Sequence, residues 1–325
     1  MTLQCTLCPR YCRLAPGQVG DCRVRYHHDG KLVSLVYARP VALHLDPIEK
    51  KPLFHFLPGS NILSVATVGC NLHCANCQNW QISQADPWDS EAVPFEPHEL
   101  VELCVDQESP SIAFTYTDPV VFFEYTLDTA RAARHQGIKT VLVSAGYINE
   151  EPLQQWIPFI DAANIDLKAF DDDFYQNVCD ARLDPVLNTL VALKKGGVWL
   201  ELSNLLIPTL NDSDAMIRDL CRWVHNELGA DTPLHFSAFT PRHKLSTLPR
   251  TPLSTLLRAR DIAVAEGLHF VYLGNVLAED GGLTRCPHDG TPLLERRGFE
   301  LVLNRLKDGA CPHCGTSIPG RWSST

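Results

Sequence analysis

A chain of 325 residues that is 45% apolar and 20% charged can bury a full core and carry one large domain with appendages. Its longest apolar runs, such as 62–68, fall far short of the ~20 residues that span a bilayer, so no membrane segment is expected. The net charge of −10 is concentrated in the middle of the chain, because residues 1–51 and 280–325 are slightly basic. That balance argues against a non-specific grip on a phosphate backbone, so nucleic acid is not an expected partner and only a small basic patch near the N-terminus remains available for one.

At the start of the chain, Cys5 and Cys8 stand where a secretory signal would place its apolar core, so the expected location is the cytoplasm. In a reducing compartment cysteines serve metals or catalysis rather than disulfides, and ten of the thirteen here fall into three groups. Cys5, Cys8, Cys12 and Cys22 are a complete four-thiolate set, sufficient for a tetrahedral zinc or for an iron–sulfur cluster. Arg10, Arg13, Arg23 and Arg25 surround that set and offset its charge, and His27 and His28 fit a hairpin. Residues 40–58 read as an irregular connector containing Glu49-Lys50-Lys51.

From residue 60 to 275, apolar β-branched runs alternate with segments of helical period. Strands are predicted at 62–68, 111–116, 138–143, 162–167, 198–207, 233–239 and 268–273. Helices are predicted at 97–107, 120–136, 151–159, 183–195, 212–228 and 252–266, two with a proline near the first turn (Pro119 and Pro152). The fold class is α/β: a partial or full (β/α) barrel, with a doubly wound open sheet giving much the same alternation. In either case ligands gather at the carboxyl ends of the strands. The isolated Cys104, Cys179 and Cys221 read as small buried hydrophobes. Glu201 and His235, at strand positions, are weaker candidates for ligand contact and read more readily as satisfied core or rim residues.

The first predicted strand of this series runs directly into Cys70-Asn-Leu-His-Cys74-Ala-Asn-Cys77. Three thiolates leave one iron of a [4Fe-4S] cluster without a protein ligand, and an open coordination position marks a reactive site rather than a structural one. A zinc site of the same cysteines with His73 or a distant ligand is the structural alternative. The C-x3-C-x2-C spacing resembles the fingerprint of the radical SAM superfamily. That resemblance implies S-adenosylmethionine chelating the free iron, one-electron reduction of the sulfonium and release of a 5′-deoxyadenosyl radical that abstracts hydrogen from a substrate. Asn76 stands where an aromatic residue is common in the superfamily.

The segments 46–60, 63–84, 114–125, 164–170, 205–212 and 271–275 narrow the resemblance to radical SAM proteins of the AmmeMemoRadiSam type, which are similar to pyruvate formate-lyase activating enzymes. By that resemblance Thr115 and Asp118 lie in the turn that holds the amino group of S-adenosylmethionine, directly or through water. Asp before Pro is also an ordinary helix start. Ser144 and Gly146 occupy the place that contacts the ribose, where a plain turn is the other reading. In Asp166-Leu167-Lys168 the lysine is matched to the carboxylate of S-adenosylmethionine, and a cation ending a buried strand needs a partner in any case. Implied partners are a flavodoxin or ferredoxin as electron donor, a substrate of protein type such as a glycyl residue, and Memo-like and AMMECR-type proteins.

Near the end, Cys286-Pro-His-Asp289-Gly and Cys311-Pro-His-Cys314-Gly resemble the two knuckles of a zinc ribbon or rubredoxin. Asp289 takes the place of the fourth cysteine, with His288 and His313 as competing ligands, and residues 293–303 between the knuckles can pair as strands. The expected organisation is a cysteine-rich segment (1–55), a radical SAM barrel (56–280) and a knuckle unit (281–325). Two rival functions stay open: a zinc-dependent nucleic-acid-binding or regulatory protein without catalysis, and a radical SAM enzyme that modifies tRNA.

Overall fold

The computed structural model describes residues 1–323. Its N-terminal part holds two small hairpins, β1 (Leu3–Gln4) with β2 (Arg13–Leu14) and β3 (Arg25–His28) with β4 (Lys31–Ser34), so His27 and His28 do lie on a hairpin. The body is one eight-stranded sheet: β5 (Ala42–Pro47), β6 (Asn61–Ala66), β7 (Ser111–Phe114), β8 (Lys139–Ser144), β9 (Ala162–Asp166), β10 (Trp199–Leu206), β11 (Leu234–Ala238) and β12 (Val271–Gly274). Strands β6 to β12 are parallel and adjacent in chain order, and β5 and β12 form the two edges, so the barrel is partial. Because helices cover the sheet from outside, β6 and β7 are buried on almost every residue, and such strands read in the sequence as unbroken apolar runs rather than alternating ones. No helix among the described residues is long and apolar enough to cross a membrane.

One expectation fails. The stretch 40–58, read as an irregular connector, contributes β5, which pairs antiparallel with β6 from Ala42↔Ala66 to Pro47↔Asn61. An edge strand pairs on one side only, and this one is half exposed and ends in proline, which leaves it no apolar run to detect. Its one buried charge, Asp46, is held well below the usual carboxylate range: burial would raise it, but Lys50 and Lys51 (each 2.7 Å), Tyr116 and Ser64 all donate to it.

At the amino-terminal end of the sheet lies a floor built on Glu201, which is fully buried. Its carboxylate accepts hydrogen bonds from the backbone N–H groups of Phe54 (2.9 Å) and His55 (2.7 Å), from Trp199 Nε1 (3.0 Å) and from His235 Nε2 (2.7 Å). The reading of Glu201 and His235 as satisfied core residues agrees with this arrangement. His55 continues the network to the Tyr272 hydroxyl at 2.6 Å, and Tyr272 to Thr284 at 2.8 Å. Thr284 belongs to the C-terminal unit, in which β13 (Thr284–Arg285), β14 (Pro292–Arg297) and β15 (Glu300–Asn304) form an antiparallel sheet, as expected for 293–303. From β14, the buried Arg296 donates to the Phe54 carbonyl at 2.6 Å and stacks 4.1 Å from the Phe54 ring, docking that unit on the floor.

Glu201→Ala leaves four donors buried and unpaired, and it should cost about 3–5 kcal/mol, read as a lowered thermal midpoint. The pH dependence has a definite sign. Burial opposes ionisation of Glu201, but the His235 hydrogen bond and the neighbouring positive charge bring its carboxyl down from 4.5 to about 2. The unfolded chain therefore takes up the proton first, so the stability is present above 4.5 and lost as pH falls toward about 2. Denaturant unfolding across that window should show the slope in the wild type and a shallower one in Glu201→Gln.

Candidate active site

The carboxyl end of β6 leads through Val68 and Gly69 into the Cys70–Cys77 loop. Gly69 has φ +93°, and a Cβ there would meet Val24 Cγ1 at 2.7 Å and the Cys22 carbonyl at 2.8 Å, so the N-terminal segment packs onto the loop at a position only glycine can occupy. The loop is then tied down: the N–H groups of His73 and Ala75 donate to the carbonyls of Cys179 (3.1 Å) and Val178 (2.7 Å). Its three thiols are unpaired in disulfides and partly accessible. Cys70 Sγ accepts from the Leu72 N–H at 3.5 Å, and Cys77 Sγ lies 3.3 Å from Ser83 Oγ.

Cys179, read as an isolated buried hydrophobe, is buried but not isolated. A π-helical turn, Tyr175–Cys179, brings its thiol near enough to the Cys74 thiol for the two to influence each other's ionisation. Nothing in the spacing of a single cysteine signals that contact. The Cys179 side chain and the charge of Lys168 lower the Cys74 thiol to about 7 against the effect of burial, whereas burial and the Asp118 carboxylate push Cys70 well up. Unaided, then, only one of the three thiols is near its thiolate form at neutral pH.

Above the loop opens a cavity of about 1020 Å³ whose wall carries the three cysteines with Thr115, Asp118, Ser144, Asp166 and Lys168. It reaches down to Phe54 and His235 at the floor. Asp118 caps the turn Pro119–Phe122 by accepting from the Val120 N–H at 3.1 Å, and it also accepts from the Ala145 N–H (2.9 Å) and Ser144 Oγ (3.1 Å). Asp118 therefore starts a helix, as the plain reading has it, and its side chain also lines the cavity. Burial raises its carboxyl, and its three donors counter only part of that.

Gly146 has a different reason from the one its position suggested. At φ +69° its missing side chain points toward Ile165 Cγ2 (3.1 Å) and Thr189 Cγ2 (3.4 Å), into the core rather than toward a ligand. Lys168 Nζ lies 3.0 Å from Asp166, and although burial alone would lower it, Asp166 and the thiols of Cys74 and Cys179 hold it firmly charged. The backbone beneath is fixed by Asn211, whose Nδ2 donates to the Lys168 carbonyl at 2.7 Å, and by Asn204, which donates to the Leu167 carbonyl at 2.7 Å. Neither asparagine was anticipated, because a lone amide in an apolar run carries no spacing signal.

The terminal cysteine sets differ in geometry. In the C-terminal unit, ligand atoms of Cys286, Asp289, Cys311 and Cys314 all lie within 4.8 Å of one another, with 3.6 Å between Cys286 Sγ and Cys314 Sγ. The two knuckles repeat one local structure. The Gly290 and Gly315 N–H groups, at φ +75° and +76°, donate at 2.9 Å to the carbonyls of Cys286 and Cys311, whose own N–H groups donate at 2.9 Å to Thr291 and Thr316. Asp289 joins the three thiols, and His313, 2.7 Å away through Nδ1, orients its carboxylate. The other group within 4.8 Å among the described residues is Asp21, His73 and Asp180, where Arg10 already bonds both carboxylates (2.9 and 3.1 Å). Cys5, Cys8, Cys12 and Cys22 line one further cavity.

Comparison with known proteins places these features. The family model described as the Radical SAM superfamily matches residues 64–223. An uncharacterized protein of Methanocaldococcus jannaschii is 42% identical over 318 residues, covering 97% of this chain and 95% of that protein. The pyruvate formate-lyase-activating enzyme of Clostridium pasteurianum is 25% identical over 166 residues, 49% of this chain and 67% of the relative. Among solved structures, a radical SAM methyltransferase from Sphaerobacter thermophilus superposes with a TM-score of 0.54 at 16% identity, covering 66% of each chain, which speaks to the fold alone. With its cysteine loop at the head of a parallel-dominated sheet, the chain belongs to the radical SAM superfamily, an iron–sulfur and S-adenosylmethionine-binding family, and is homologous to pyruvate formate-lyase activating enzymes.

Proposed function

We propose that Cys70, Cys74 and Cys77 hold a [4Fe-4S] cluster in the large cavity and that the chain cleaves S-adenosylmethionine there to act on a protein substrate, a glycyl residue being the leading candidate. The observation that carries this reading is the placement of three accessible thiols, spaced more widely than the shell of one ion, on the same wall as a charged lysine and two carboxylates. The donor set fits the group: three thiolates leave one position open for a chelating ligand. When bound, the cluster and S-adenosylmethionine supply the electron transfer and the 5′-deoxyadenosyl radical; the chain's own residues bind, orient and exclude water.

In this reading Lys168 pairs with the carboxylate of S-adenosylmethionine, with Asp166 keeping it charged and Asn211 keeping it in place. Thr115 and Asp118 face the amino group; three of the positions on Asp118 that accept hydrogen bonds are taken by protein donors, so the carboxylate offers the ligand what remains. Ser144 faces the ribose, and Gly146 supports that turn from below. A flavodoxin or ferredoxin supplies the electron in the cytoplasm, in keeping with thirteen cysteines that form no disulfide. The protein-substrate reading leans on the name of the Clostridium pasteurianum relative, and the AmmeMemoRadiSam type, with Memo-like and AMMECR-type partners, rests on the sequence segments quoted above. At the C-terminal unit a single Zn²⁺ held by Cys286, Asp289, Cys311 and Cys314 suits the observed spacing, since tetrahedral bonds of about 2.3 Å set sulfurs about 3.8 Å apart.

Anaerobic reconstitution followed by dithionite and S-adenosylmethionine should yield 5′-deoxyadenosine from the wild type and none from Cys74→Ala; undiminished product from that variant would overturn the mechanism. Lys168→Met should weaken S-adenosylmethionine binding by about 10- to 150-fold, the worth of one charge-assisted hydrogen bond, as read by equilibrium dialysis of the reconstituted protein. Metal analysis should find zinc in the wild type and not in Cys311→Ser. His313→Ala should retain it with about 10- to 100-fold lower affinity against a competing chelator, and the lack of any loss would remove His313 from the site.

A further inference from the structure

Cys5, Cys8, Cys12 and Cys22 come from the β1–β2 hairpin and the turn before β3, yet all four line one small cavity. The hairpin loop is fixed by the Cys5 N–H donating to the Cys12 carbonyl at 2.9 Å and the Tyr11 N–H to the Cys8 carbonyl at 3.2 Å. The C-terminal set draws its donors within 4.8 Å, as one ion requires; among the described residues no three of these four cysteines are drawn that close. The same chain therefore carries one set at single-ion spacing and another spread around an opening.

We infer that the N-terminal set holds a second iron–sulfur cluster, a [4Fe-4S] cubane with every iron ligated by a thiolate. A cubane presents its irons at separate corners and so takes its thiolates farther apart than a lone ion does. An independent observation points to the same occupant. Arg25, 7% exposed, gives both Nη groups to Glu124 (2.6 and 2.7 Å) but leaves its buried Nε without a partner, and Arg25 lines this cavity. An N–H donor beside a cluster sulfur satisfies that group and offsets the negative charge of four thiolates.

The position of the set gives the cluster its role. Asn71, the residue after Cys70, lines the same cavity; Arg10 Nε donates to its carbonyl at 2.6 Å, and the Cys22 carbonyl abuts Gly69. With no open iron the cluster does not bind substrate. Held by Cys5, Cys8, Cys12 and Cys22, it would supply a one-electron relay between a reduced flavoprotein or ferredoxin and a cluster held by Cys70, Cys74 and Cys77, with Asn71, next in the chain to Cys70, in the wall of its cavity and no proton moved. This last step rests on the function proposed above.

The test is iron counting on three proteins reconstituted anaerobically with iron and sulfide. Wild type should hold about eight irons, and both Cys70→Ala/Cys74→Ala/Cys77→Ala and Cys5→Ser/Cys22→Ser about four, with the triple variant showing a reduced-cluster EPR signal. A triple variant that carries zinc or no iron overturns the second cluster, as does a Cys5→Ser/Cys22→Ser protein that keeps about eight; four irons in the triple variant with none in the double variant would instead sink the central site and leave this one standing. If the double variant fails to fold, the triple variant decides alone. For the relay, the double variant should form 5′-deoxyadenosine with dithionite but about tenfold more slowly than wild type when reduced flavodoxin is the donor, and equal rates with both donors would exclude it.

Discussion

A carboxylate buried without water is tolerable only when donors surround it, and Glu201 meets that condition with two backbone amides, an indole and an imidazole. The consequence is architectural. The two amides belong to the segment between β5 and β6, the indole and the carboxylate to β10, and the imidazole to β11, so one side chain joins three parts of the body. Through His55, Tyr272 and Thr284 it also reaches the C-terminal unit. An open, partial barrel lacks the closed hydrogen-bonded ring that would otherwise fix its floor. The polar network does that work here, and it leaves the opposite end of the sheet free of structural duty.

The opposite end is organised on the reverse principle. Several of its polar groups face open space: the thiols of Cys70 and Cys77 have weak partners, and Asn76 Oδ1 is buried with none. The cost of holding such groups is met from outside the sheet, by the N-terminal segment. Arg10 bonds the carbonyls of Asn71 and Asp180, Asn149 donates to the carbonyls of Thr6 and Leu7, and Val24 fills the gap that Gly69 leaves. The small hairpins therefore close the cysteine loop from above, which couples the order of residues 1–36 to the geometry of the site.

This division explains what the sequence disclosed. The seven parallel strands and the helices between them were legible because burial on both faces, or on one stripe, imposes composition and period on consecutive residues. The cysteine loop and the terminal sets were legible because metal chemistry demands fixed spacing, and the knuckle repeat marked Asp289 before any coordinates did. What stayed hidden was whatever depends on residues distant in the chain: β5, which borrows its regularity from β6; Cys179, which meets Cys74 only through a π-helical turn; Asn204 and Asn211, which hold the backbone beneath Lys168; and Gly146, whose positive φ serves Ile165 and Thr189. Each is a contact between one residue and one remote partner, and no local period records such a contact.

The three cysteine sets share a ligand and differ in spacing, and spacing is what separates their chemistry. Where two tight knuckles converge, with glycine at positive φ behind each, the donors close to within 4.8 Å of one another, the spacing that suits a single ion. Where one loop follows a buried strand, three donors spread along a cavity wall leave coordination to be completed by something that arrives. Four donors around a small cavity beside a buried arginine with an unpartnered Nε have neither feature: no wide opening for an arriving ligand, and no three of them drawn within 4.8 Å of one another. A closed polynuclear centre is the arrangement we infer for such a set, and a closed centre whose wall includes Asn71, the residue next in the chain to Cys70, would be placed to move electrons rather than atoms.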